Sequence, residues 1–131
     1  MAIFESKTLI AKPASEIYNF LVDLNNHQDL MPENIYNWTS TKDEARFTIQ
    51  NMAKLALKID SKIEDKEIVI VPFEEAPIPL NLTWTFSENG NQTEAKLTIS
   101  AELNMMMKML ASGPLQKLAD HQTEALNKKL Q

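Results

Sequence analysis

His27 and His121 are the only histidines in this 131-residue sequence, the residue type whose ordinary pKa lies near neutral, and there is no cysteine. Acid–base chemistry would have to combine these imidazoles with carboxylates. Thiolate catalysis, disulfides and cysteine-based metal sites are excluded. His121 has Asp120 beside it and Glu124 three residues on, a spacing that puts imidazole and carboxylate on one helix face. Two ligands do not hold zinc and the sequence shows no third, so the group reads as exposed polar surface. His27, in "NNHQDLMP", is a candidate general base without a partnered acid or nucleophile. The pairs Asp43-Glu44, Glu64-Asp65 and Glu74-Glu75 fall at strand ends. Glycosidase-like chemistry needs carboxylates that face each other across a site, whereas consecutive acids in turns point outward and are solvated.

Composition narrows the classes further. An apolar fraction of 44% with 24% charged residues describes a globular chain, and the length fits one domain over residues 1–131. The formal charge is −5, and Arg46 is the sole arginine among 13 basic residues. Phosphate neutralisation needs clustered Lys and Arg, so nucleic acid is not an expected partner. The N-terminus, with Glu5 among its apolar residues, lacks the pattern of a signal peptide. No apolar run reaches about 18 residues, so stable membrane insertion is not expected either. A cytoplasmic location follows as an expectation. The triplets at Asn37, Asn81 and Asn91 carry no weight for glycosylation without secretion.

The elements that would carry a site can be read from periodicity. "AIFESKTLIA" predicts a strand that ends at Lys12-Pro13. Ile17, Phe20, Leu21 and Leu24 then recur at helical spacing, and a second short helix is expected through His27 to Met31, stopped by Pro32. From Asn34 to Leu103 the pattern is almost all strand. Leu55, Leu57, Ile59 and Ile63 are predicted to face one way, against Lys58, Asp60 and Lys62. Leu80, Leu82, Trp84 and Phe86 form a second inner row, and Ala95, Leu97, Ile99, Ala101 and Leu103 a third. A turn around Asn89-Gly90 joins the last two strands, giving an antiparallel meander with one solvated face.

The last 27 or so residues read as a long helix, with Leu115, Leu118, Ala119, Leu126 and Leu130 on its apolar stripe. Pro114 either kinks this helix or restarts it. Before it lies "MMMKML", with methionine at 105, 106, 107 and 109. Those positions point around most of a helix and cannot all face one core. They are expected to serve as core filler, as a deformable gate at a cavity mouth, or as a contact surface. "VPFEEAPIPL" is stiffened by three prolines and reads as a loop at the cavity rim, with Glu74 and Glu75 as its polar gatekeepers.

This order of elements resembles the helix-grip fold of the START-like (SRPBCC) superfamily. These are α+β proteins in which a curved antiparallel sheet of about seven strands wraps around a long C-terminal helix, with two short helices after strand 1. The resemblance spans the whole chain. It is carried by "IAKPASEIYNFLVDLNNHQDLMP", similar to the superfamily's opening strand-Pro-helix, and by "MMMKMLASGPLQKLADHQ", similar to small bacterial SRPBCC-family proteins. It implies a cavity between helix and sheet that takes a small hydrophobic or amphipathic molecule. The sheet would then line that cavity with Trp38, Phe47, Leu57, Ile59, Leu82, Trp84, Phe86, Leu97 and Ile99. The helix would add Met107, Leu110, Leu115 and Leu118. No cofactor or metal is expected, and the chain should be a monomer or weak dimer. Non-catalytic ligand binding is the first expectation, since the inner sheet face is almost devoid of ionisable groups. A polyketide cyclase/aromatase-like enzyme is the alternative, with Tyr18, Tyr36, Asn37 and His27 as the available proton-transfer helpers. A protein-interaction module using the methionine-rich segment is the third.

Overall fold

The structure, a computed structural model, describes residues 2–74 and 78–130. Strand β1 (Ala2–Ile10) leads into helix α1 (Ala14–Leu21) and a 3₁₀ helix (Leu24–Leu30). Six strands follow: β2 (Ile35–Ser40), β3 (Glu44–Ile49), β4 (Ala53–Ile63), β5 (Glu67–Pro72), β6 (Leu80–Asn89) and β7 (Gln92–Ala101). Helix α2 (Met105–Leu130) closes the chain. The sheet is antiparallel in the order β1-β7-β6-β5-β4-β3-β2, a meander to which β1 is added beside β7. Its apolar face packs on α1, the 3₁₀ helix and α2, so the helices cover the one surface that alternation makes greasy.

Local chemistry explains the joints. Gly90, at φ 68, opens the two-residue turn between the paired Asn89 and Gln92, a backbone conformation that costs glycine nothing. Pro13 starts α1 without a side-chain cap of its own, and the Glu88 carboxylate of β6 accepts from the Ala14 N–H at 2.6 Å. Asn104 caps α2: its side chain accepts from Met107 N at 2.8 Å. Asn104→Ala is expected to lower stability by about 1 kcal/mol, read as a shift of the urea midpoint at unchanged slope.

Two bulges break the alternation expected from sequence. In β4, Ile59 pairs with Ile70 but Ser61 with Val69, so Asp60 is an extra residue. Beyond it the faces exchange. Ile63, predicted inward, is 54% exposed, and Ile59 is only half-buried against the core. In β2, Ile35 pairs with Ile49 and Thr39 with Arg46, which leaves Asn37, at φ 56, as the extra residue. That bulge turns Trp38 to the inner side, where it stacks on Phe47 with centroids 5.2 Å apart.

Helix α2 runs through Gly113-Pro114 as one helix, so of the two alternatives at Pro114 the restart does not occur. Its buried stripe extends the predicted one toward the N-terminus to Ala111 and also includes Gln122 and Thr123. Toward the C-terminus it is fastened to β1. The Gln116 amide donates to the Glu5 carbonyl at 3.0 Å, and the Asn127 amide to the Leu9 carbonyl at 2.9 Å. The Ser6 and Thr123 hydroxyls meet at 2.7 Å. Among the described residues, no helix is long and apolar enough to cross a membrane.

Candidate functional site

A cavity lies where the 3₁₀ helix, α2 and the β2–β6 part of the sheet converge. Leu24, His27 and Met31 border it on one side, Leu118 and Gln122 on another, and Trp38, Ala45, Phe47, Leu57, Ile70 and Leu82 form its sheet wall. The space measures about 20 Å³, enough for one water molecule. A larger guest therefore has to displace side chains, and the half-buried Met31 and Trp38 are the most exposed parts of the wall. Trp38 is tethered to the 3₁₀ helix: its Nε1 donates to the Ser40 hydroxyl at 3.0 Å, which donates to Asn25 Oδ1 at 2.7 Å.

The cavity's polar groups are few. Buried His27 holds the Leu21 carbonyl at 2.7 Å through Nε2, which must carry the proton because a carbonyl only accepts. Nδ1 is thus left as the acceptor of the neutral ring. Burial pushes the His27 pKa down to about 4, against the opposing pull of the Leu21 carbonyl and Asp23, so the ring is neutral at pH 7. Gln122 is 0% exposed, and both Oε1 and Nε2 lack a partner among the described residues.

Solved structures similar to this fold come from proteins of distant sequence. A START superfamily protein from Mycobacterium smegmatis is 14% identical, with a TM-score of 0.71 over 98% of this chain and 96% of its own. The Zhui aromatase/cyclase of a Streptomyces species is 13% identical, with a TM-score of 0.77 over 98% and 93%. The Aha1 dimer from Colwellia psychrerythraea is 15% identical, with a TM-score of 0.68 over 99% and 96%. This is the helix-grip fold of START-like proteins. No family model matches the sequence, and no curated protein matches it either.

Within this helix-grip frame the expected ligand-binding residues separate into groups. Trp38, Phe47, Leu57, Leu82 and Leu118 line the cavity. Trp84, Phe86, Leu97, Ile99 and Leu115 are buried in the surrounding core and are not part of its wall. Trp84, fully buried between Ile68 and Leu97 in the register, leaves its Nε1 without a partner among the described residues. Ile59 and Met107 are half-buried, and Leu110 is 68% exposed. Met105, Met106 and Met109 are exposed as well, at 84%, 72% and 82%. Of the four methionines before the proline only Met107 packs on the core, because it alone continues the 107-111-115 stripe.

Sequence reasoning placed His27 at the start of the second short helix and passed over Gln122. The latter was detectable, being four residues from both Leu118 and Leu126 on the apolar stripe. The other helpers lie elsewhere. Tyr36 and Asn37 are exposed, and Tyr18 packs edge-on against Phe86, its pKa raised by burial and by Glu64 and Asp65. Glu74 pairs with Arg46 on the outer sheet face, and Glu75 lies outside the described residues. His121 gives its Nδ1 to a 3.0 Å contact with the Leu30 carbonyl. Among the described residues no group of three potential ligands is placed to hold a metal ion.

Proposed function

We propose that this chain binds a small hydrophobic or amphipathic molecule in the cavity between α2, the 3₁₀ helix and the sheet, without chemistry of its own. The observation that carries this reading is the wall: nine apolar side chains accompanied by one neutral imidazole and one amide, with no acid or cation. Such a wall supplies shape and desolvation, whereas general acid–base catalysis needs paired groups with separated pKa values. Binding of the guest is coupled to movement of Trp38 and Met31, since the space between them and α2 is small.

The experiment is a melting-temperature panel with neutral quinones, aromatic polyketides and fatty acids. A guest at a hundred times its Kd is expected to add about 2.7 kcal/mol to stability by mass action. If no compound shifts the melting temperature, the binding reading fails. One observation favours a cyclase-like second reading: among Tyr18, Tyr36, Asn37 and His27, the imidazole alone reaches the cavity. A poly-ketone substrate turned over by the native protein but not by His27→Gln would establish that reading instead.

A further inference from the structure

Gln122 sits on the buried stripe of α2, flanked at helical spacing by Leu118 and Leu126. An amide enclosed there without partners is costly to the fold, and leucine would fill similar space without that cost. Its two free ends are a donor and an acceptor held side by side, on a residue that lines the cavity. We infer that Gln122 is the polar recognition point of this cavity, and that its guest carries a neutral edge pairing one donor with one acceptor. A carboxamide, an un-ionised carboxyl or a hydroxyl beside a carbonyl has that edge. The inference rests on the ligand-binding reading above and specifies the guest.

The surroundings define its charge. No lysine or arginine lines the cavity, so an ionised carboxylate would be buried without a counter-charge. His27 contributes a second acceptor, Nδ1, and no positive charge. The rest of the wall is aliphatic and aromatic, with the Trp38–Phe47 stack presenting flat surface to a planar guest. One water can occupy the remaining space, and the guest's polar group takes its place.

The test uses three probes of one size: naphthamide, ethylnaphthalene and naphthoate at pH 8, titrated into the full chain by calorimetry. Wild type is expected to bind naphthamide about tenfold tighter than ethylnaphthalene, the worth of one well-made pair of hydrogen bonds, and naphthoate more weakly than the amide. Gln122→Leu should lose that preference while holding ethylnaphthalene at least as tightly. Gln122→Met, read in parallel with unliganded melting curves, separates lost recognition from lost folding. Equal affinity of wild type for the amide and the hydrocarbon would show that Gln122 pairs with an ordered water only, overturning the inference but not the cavity. Binding of none of the three probes would overturn the cavity reading itself and this inference with it.

Discussion

Acidification from pH 7 to pH 4 is expected to cost the folded protein about 3 kcal/mol through a single side chain, His27. The imidazole is buried and neutral, with its pKa lowered to about 4 from the ordinary 6.5. Between those two values the unfolded chain binds a proton that the folded chain refuses. Stability is therefore complete above about pH 6.5 and is lost progressively as the pH falls toward 4. Glu5, whose pKa is lowered by the hydrogen bond and charge of Lys96, is exposed to solvent. Urea unfolding at pH 7, 5.5 and 4 should show wild type losing the larger part of its stability margin across this range. His27→Gln, which retains a donor for the Leu21 carbonyl, should be less stable at pH 7 but far less sensitive to acid. Parallel losses in the two proteins would exonerate His27.

Replacing Gly113 and Pro114 together by alanine is expected to stabilise the protein by about 2–4 kcal/mol. Pro114 sits inside α2 and has no N–H for the Leu110 carbonyl. Gly113 adds the backbone entropy of a residue without a Cβ, although nothing lies within 4 Å of where a Cβ would stand. The Ser112 hydroxyl meanwhile turns back to the Lys108 carbonyl, a contact that competes with regular helix geometry. The double variant should melt at higher temperature in a calorimetric scan. Uptake of an apolar dye by stopped-flow fluorescence should be unchanged, because α2 first meets the cavity at Leu118, beyond the proline. A slower uptake would restore the methionine segment as a gate.

Much of the fold was legible because alternation is a local signal. Leu82, Trp84, Phe86, Leu97 and Ile99 were predicted inward by period two, and all five are buried. The prediction failed where one inserted residue changed the parity. Asp60 sends Ile63 to solvent, whereas the Asn37 bulge holds Trp38 inside, where it was expected, and leaves Tyr36 out. Neither insertion leaves a mark in the hydrophobic pattern. The cavity was less legible than the core for a related reason. Burial depends on one strand's face, but lining a particular 20 Å³ depends on where the sheet curls toward the 3₁₀ helix. Leu110, expected at the cavity and two turns before Leu118, is exposed, while its neighbour Ala111 is buried. Gln122 was missed because periodicity registers only the apolar members of a stripe.

The hydrogen bonds from α2 to β1 have a consequence for how the protein behaves in crowded or heated solution. A seven-stranded sheet has two rims, each a row of backbone groups on which a foreign strand can grow into a fibril. At one rim, Gln116 and Asn127 occupy the Glu5 and Leu9 carbonyls that such a strand would need. At the other, the Asn37 bulge interrupts a strand only six residues long and spoils the straight edge. Strand-by-strand polymerisation of the native fold is thus blocked at both ends. Heat-induced aggregates should form only once α2 has peeled away from β1.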